Sequence, residues 1–164
     1  MSLAQLSGKV ALITGKYFSY LSIRFHQLCM LLNILGSSSG IGAAAAVLFA
    51  KLGASVSLTG RNQLALDETK SKCTTVAQNS TNQRIVAIKA DVTNEQDATD
   101  LVTRTISEFG QIDILVNAAG IIEYGSIENT SLESYDRVMN ANVRAIYHLM
   151  MLTTPHLIKT KGEL

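Results

Sequence analysis

The chain has 164 residues, of which 47% are hydrophobic and 16% charged, with a formal net charge of +1. That length suits one domain with a sizeable core. The composition excludes a disordered tail, and the near-neutral charge gives no electrostatic footprint for DNA or RNA. Two cysteines, Cys29 and Cys73, are too few for a disulfide scaffold and fit a reducing compartment. The opening MSLAQLSGKVALITG lacks the pattern of a signal peptide, so a cytoplasmic protein is expected.

In chain order, Lys9 to Thr14 (KVALIT) reads as a short buried strand closed by Gly15. Residues 16 to 36 then intervene and match nothing around them. Tyr17 to Leu35 is about as long as a membrane span. Arg24, His26 and Gln27 sit near its middle, however, and a central arginine costs about 2.5–3.5 kcal/mol on insertion, so no span is expected.

The pattern resumes at Gly36-Ser37-Ser38-Ser39-Gly40-Ile41-Gly42, which runs into an alanine-rich helix over Ile41 to Leu52, with Gly53 just past its end. Glycines spaced G-x-x-x-G-x-G between a strand and a helix let backbone N–H groups approach an anion, and the helix dipole adds favourable charge. Ser55 to Thr59 is a second strand, followed by Gly60-Arg61. Asn62 can cap a helix that puts Leu66, Thr69, Cys73 and Val76 on one face.

Arg84 to Ala90 is a third strand ending at Asp91. Thr93 and Gln96 form a capping-box pattern, and the helix after them carries Ala98, Leu101, Val102, Ile106 and Phe109 on one stripe, stopped by Gly110. Ile112 to Val116 is a fourth strand, ending in Asn117-Ala118-Ala119-Gly120. Thr130 and Glu133 form a second capping box opening a long helix through Leu152, which Pro155 is expected to interrupt. Alternating elements with apolar, non-alternating strands imply an α/β fold: a doubly wound parallel sheet, its first turn built for a dinucleotide.

In such a sheet the strand ends carry the chemistry. An acidic residue after the second strand would bind a ribose 2′-hydroxyl. Gly60 occupies that position here and Arg61 follows, a charge suited to a 2′-phosphate, so NADP(H) is favoured over NAD(H). The plain alternative is a solvated surface arginine. Asp91 can accept from an adenine amino group or simply form a turn. Asn117 to Gly120 lets a ribose lie against small residues or merely ends a strand. Asn142 lies on the apolar stripe of the last helix with Val138, Ala145, Leu149 and Leu152. A buried asparagine must be hydrogen-bonded, either as a backbone-satisfied core residue or as part of a site. No Gly-Lys-Ser/Thr follows the glycines, which excludes a P-loop NTPase. A methyltransferase using S-adenosylmethionine would need an acid where Gly60-Arg61 stands. His26, His148 and His156 have no metal-ligand spacing, so no metal is expected.

GKVALITG, SSSGIG, Gly60-Arg61, Asp91-Val92, VNAAG and Asn140-Ala-Asn-Val-Arg together make the chain resemble the N-terminal, cofactor-binding part of the short-chain dehydrogenase/reductase family. The resemblance covers nearly everything outside residues 16 to 36. It implies that Ser37 to Gly42, with Gly36, hold the cofactor phosphates and ribose, that Asp91 and Val92 hold the adenine, and that Asn117, Ala118, Ala119 and Gly120 line the cofactor. Asn142 would match the family's catalytic asparagine, which holds a water in the proton relay. The substrate would be a small alcohol or carbonyl compound, with no nucleic-acid or membrane partner, and the last helix is one the family uses for oligomer contacts. Ala118 is a mild departure from the family's Asn-Asn-Ala-Gly.

Two departures are larger. The family's catalytic serine and Tyr-x-x-x-Lys pair lie beyond the fourth strand and its helix, and none of Tyr17, Tyr20, Tyr124, Tyr135 and Tyr147 has lysine four residues on. The chain alone is therefore expected to bind cofactor without turnover and, with its fourth strand left at an uncovered edge, to be poorly soluble. Deleting Lys16 to Gly36 restores VALITGSSSGIGAAAA. Gly-Lys-Tyr at the entry and Ile-Leu-Gly at the exit are what GGT-AAG-TAT and ATT-TTA-GGT would encode, so a short intron read through in frame is one reading. If the insertion is genuine, Met30 to Leu35 could compete with Lys9 to Thr14 for the first strand's place. The rival to an oxidoreductase is a non-catalytic product: a truncated isoform that pairs with full-length partners, or an artefact of gene prediction.

Overall fold

The computed structural model describes residues 9–12, 31–77 and 83–162. Most of the segment between Gly15 and Gly36, with Cys29 and His26, lies outside the described residues, as do Ile13 and Thr14. The elements run β1 (Lys9–Leu12), β2 (Leu31–Leu35), α1 (Gly40–Lys51), β3 (Ala54–Gly60), α2 (Gln63–Val76), β4 (Ile85–Lys89), α3 (Glu95–Phe109), β5 (Ile114–Asn117), α4 (Leu132–Met139), a π-helical segment Asn140–Arg144, and α5 (Ala145–Thr160). This is the expected α/β alternation, with one strand more than the sequence pattern called for.

β3 pairs in parallel with β4 from Val56 with Ile85 to Gly60 with Lys89. On its other side β3 pairs in parallel with both β1 and β2, and so does β5. Across the sheet β4, β3, β2 and β5 follow one another, the doubly wound order the sequence implies. The far side of β5 carries no strand among the described residues.

Helices α1 and α2 cover one face, and α3 and α5 the other. Val56 and Leu58 of β3 are fully buried, and Leu66 of α2 lies beside Gly60 at the end of that strand. The opposite side of β3 is not apolar, because Ser55, Ser57 and Thr59 point there and are equally buried. Each hydroxyl is spent: Ser55 Oγ accepts from the Arg84 N–H, Ser57 Oγ meets Thr105 Oγ1 of α3 at 3.1 Å, and Thr59 Oγ1 donates to the Ile88 carbonyl at 3.0 Å. The pairing is what allows hydroxyl groups inside a sheet covered on both faces.

Helix ends agree with the sequence in part. Asn62 caps α2, accepting from the Ala65 N–H, and Gly110 ends α3 in the left-handed region at φ 83°. The Thr93/Gln96 box does not form. Asn94 caps α3 instead, accepting from the Gln96 and Asp97 N–H groups, because the Thr93 hydroxyl is drawn back to Asp91. Likewise Ser131, not Thr130, caps α4, accepting from the Ser134 N–H.

Pro155 does not interrupt the last helix, which continues to Thr160. The hydroxyls of Thr153 and Thr154 donate to the carbonyls of Leu149 and Met150 in the turn where the proline ring would crowd the backbone. No described helix is long and apolar enough to cross a membrane.

Candidate active site

Four strand ends build the site. β2 runs into the turn Gly36 to Ser39, in which Gly36 and Gly40 take positive φ of 72° and 60°. Gly42 is the close approach, since a Cβ there would lie 2.6 Å from the Gly36 carbonyl oxygen. The three serines divide. Ser37 is fully buried and tied to β3: its N–H donates to the Thr59 carbonyl at 2.9 Å, and its hydroxyl accepts from the Thr59 N–H at 2.8 Å. Ser38 is half-buried, while Ser39 and Gly40 are exposed at the start of α1. Ser39 makes no side-chain cap, and the first turn of α1 holds no acid. The amides there are thus left to an anion.

β3 ends at Gly60, where a Cβ would sit 3.2 Å from both Cβ and Oγ of Ser38. The serine occupies the space an acidic side chain would need. Arg61 follows with a largely exposed side chain, its Nη1 4.0 Å from Asp91 Oδ2. β4 delivers Asp91, whose Oδ1 accepts from the N–H and hydroxyl of Thr93 at 3.0 and 2.7 Å. Its own N–H donates to Asp97 Oδ2. One carboxylate oxygen is therefore held fast and the other faces Arg61. Val92 beside it is half-buried.

β5 ends at Asn117, whose Oδ1 is buried without a hydrogen-bond partner. Ala118 and Ala119 are half-buried and Gly120 is exposed. A Cβ on Gly120 would lie 3.1 Å from Asn142 Oδ1, so the glycine lets the loop come down on that asparagine. Asn142 sits in the π-helical segment, where the Ala145 N–H reaches back to the Asn140 carbonyl. Such segments are rare and recur at functional sites. Its amide grips Ile121 at both ends, accepting from the N–H and donating to the carbonyl, both at 2.8 Å. Glu123, further along the same loop, forms a two-pronged bond to Arg137 of α4 at 2.9 Å on each arm. The Arg137 guanidinium holds the Glu123 carboxyl below the usual carboxylate range.

The turn, Arg61, Asp91 and Asn117 to Gly120 all lie at the carboxyl edge of the sheet, and Asn142 joins them through Gly120 and Ile121. Two features of this arrangement were not read from the sequence. Thr93 fixes Asp91, and Asp-x-Thr is a recognised Asx-turn signal that could have found it. The π segment has no signal in the sequence. Among the described residues no group of histidines, cysteines and acids could hold a metal.

A family profile described as short chain dehydrogenase matches residues 31–164. It begins at Leu31, the first residue of β2, and leaves β1 outside. An uncharacterized oxidoreductase of Thermotoga maritima is 39% identical over 129 residues, covering 79% of this chain and 49% of that protein. The 11-beta-hydroxysteroid dehydrogenase A of Sesamum indicum is 30% identical over 132 residues, covering 80% and 37%.

Among solved structures, the apo form of Caenorhabditis elegans glucose dehydrogenase superposes with a TM-score of 0.72 at 36% identity, covering 96% of this chain and 53% of that one. The NADH-dependent reductase A1-R′ complexed with NAD gives 0.75 at 27%, covering 97% and 56%. The chain spans about half the length of the Thermotoga maritima protein and of these two solved structures.

Proposed function

Because the chain belongs to the short-chain dehydrogenase family, we propose that it is the cofactor-holding part of an oxidoreductase that moves hydride between NADP(H) and a small alcohol or carbonyl compound in the cytoplasm. What carries this reading is the meeting at one sheet edge of an uncapped helix N-terminus, a turn with no room for a Cβ, and the unpartnered Asn117 Oδ1. These are the features a pyrophosphate and a ribose need. Once bound, the dinucleotide would supply the hydride chemistry.

The chain's residues bind and orient. Gly36, Ser38, Ser39, Gly40, Ile41 and Gly42 present the turn and the α1 amides to the phosphates, and Ser37 holds that turn to β3. Asp91 accepts from the adenine amino group, with Val92 against the ring. Asn117, Ala118, Ala119 and Gly120 form the floor under the second ribose. Asn142 holds the loop after β5 through Ile121 and keeps a second amide N–H that can donate to a water. The preference for NADP(H) rests on Gly60, where Ser38 takes the space of an acid, and on Arg61 as the partner of a 2′-phosphate.

The test compares NADPH and NADH binding before and after Arg61→Ala. Loss of a charge-assisted bond worth about 1.5–3 kcal/mol should weaken NADPH about tenfold or more. NADH should stay within about twofold, since it lacks the 2′-phosphate. Equal losses for both would end the selectivity claim.

An exposed apolar row favours a second reading, in which this chain acts by binding a partner and not by catalysis. A non-catalytic isoform would then act by pairing. Met139 at the end of α4, Val143 in the π-helical segment, and Tyr147 and Met151 of α5 recur every four residues and are all exposed, which suits a second copy or a longer relative. A separate alternative is whether residues 16 to 36 are an intron read through in frame or a genuine insertion. Sequencing the transcript from upstream of codon 9 separates the cases. Loss of codons 16 to 36 and a frame running on to Tyr-x-x-x-Lys would give an ordinary reductase. Their retention in mature message would make the insertion part of the protein.

A further inference from the structure

The glycine turn and the end of β3 meet over one small volume. A Cβ on Gly60 would lie 3.2 Å from both Cβ and Oγ of Ser38, tighter than such atoms normally settle, whereas Leu66 Cδ2 stands at an ordinary 3.6 Å. Gly60 is not among the glycines with positive φ, so its backbone conformation does not require a glycine. Glycine weakens a strand relative to alanine, so its place here needs another cause. Ser38 is that cause, and it is not free to swing away. The residue before it is pinned to β3 through both its N–H and its hydroxyl. We propose that Ser38 sets the dinucleotide preference of this chain, its side chain keeping an acid off position 60 and its hydroxyl joining Arg61 on a 2′-phosphate.

The groups for the second role are at hand. Ser38 is half-buried, and among the described residues its hydroxyl has no hydrogen-bond partner. The Ser37 hydroxyl, by contrast, is spent on Thr59. Arg61 Nη1 lies 4.0 Å from Asp91 Oδ2, beyond hydrogen-bond length, with the two side chains 71% and 39% exposed. Solvent weakens a pair of that kind, so the guanidinium can leave the carboxylate for a phosphate. A 2′-phosphate offers charged acceptors to the Ser38 hydroxyl and to Arg61 together. A ribose 2′-hydroxyl gains at most one uncharged bond from Ser38, which is the weaker kind.

The steric role makes positions 38 and 60 a single determinant. An acid after the second strand of such a sheet accepts from the 2′-hydroxyl, and that acid begins at the Cβ that Ser38 excludes. A side chain at one position therefore shuts out a side chain at the other. Removing the serine side chain opens the volume, and only then does position 60 admit an acid. The preference belongs to the pair and not to either residue. The phosphate arm of this inference rests on the proposed function; the shared volume does not.

The test uses the full chain in two arms. Without ligand, Gly60→Ala should lower the urea midpoint of the parent chain but not that of a Ser38→Gly background, because the two positions are coupled. A midpoint that moves alike in both backgrounds overturns the shared volume. With ligand, fluorescence titration of Ser38→Ala should show NADPH weakened by about three- to tenfold, and NADH held within about twofold. Unchanged NADPH binding, or an equal loss for both nucleotides, overturns the phosphate role of the hydroxyl. Gly60→Asp alone should bind both nucleotides more weakly than the parent chain, whereas Gly60→Asp together with Ser38→Gly should favour NADH. A preference for NADH that is as strong with Ser38 in place overturns the pairing of the two positions. A parent chain that binds neither nucleotide counts against the proposed function, while the urea arm still decides the shared volume.

Discussion

Asn142 holds Ile121 by both of its backbone groups, accepting from the N–H and donating to the carbonyl at 2.8 Å each. The pair fixes the loop after β5 to the π-helical segment, 21 positions along the chain, and Gly120 has no Cβ because one would crowd the same Oδ1. Asn142→Asp is the sharpest probe. The carboxylate can still accept from the N–H, but it turns an acceptor toward the Ile121 carbonyl. We expect a loss of about 1–3 kcal/mol in urea unfolding, with faster exchange of the Ile121 amide. An unchanged midpoint and unchanged exchange would show that the loop is held by other contacts.

Ser37 is a tie between turn and sheet. Its hydroxyl is the acceptor for the buried Thr59 N–H and donates weakly, at 3.3 Å, to the Thr59 carbonyl. Ser37→Ala removes that acceptor and should cost about 1–3 kcal/mol in urea unfolding at unchanged slope. Ser39→Ala, on an exposed residue that makes no cap bond, should stay within about 0.5 kcal/mol. Equal effects at the two positions would contradict the division of the serines.

Cys73 is fully buried in α2, and burial pushes its thiol up to about 12 from 9.0. The unfolded chain loses this proton as pH rises past about 9, while the folded chain keeps it until about 12. The contribution to stability is thus complete below pH 9 and drains away between 9 and 12. The stability gap between the parent chain and Cys73→Ala, measured in a Cys29→Ser background, should narrow over that window. The Cys73 thiol should also stay silent to a disulfide reagent until the chain unfolds. A constant gap, or prompt reaction in the native state, would contradict the burial.

Long-range order was legible because aliphatic runs mark the strands and glycines mark the turns at 36–42, 53, 60, 110 and 120. The strand ends that gather Arg61, Asp91 and Asn117 followed from that order alone. What escaped were choices between near-equal local partners. Thr93 and Asn94 can both cap α3, and the decision fell to Asp91, which takes the Thr93 hydroxyl. Ser55, Ser57 and Thr59 alternate with aliphatic residues as a half-exposed strand would, yet Arg84, Thr105 and Ile88 satisfy them inside the sheet. Pro155 lies in a helix because packing on both sides, with Thr153 and Leu157 buried, outweighs one missing hydrogen bond. The π segment at Asn140–Arg144 depends on how α4 and α5 meet the loop at Ile121, a tertiary relation with no local sequence mark.

The central claim is that this chain folds a working dinucleotide edge, and a fluorescence titration of the purified chain with NADPH tests it most directly, with NADH and the Gly42→Ala variant alongside. The account predicts saturable NADPH binding, tighter than NADH. It also predicts loss of that binding in Gly42→Ala, where the added Cβ would meet the Gly36 carbonyl at 2.6 Å. A folded, monodisperse chain that binds neither nucleotide, or that binds NADPH equally well with alanine at 42, would contradict it.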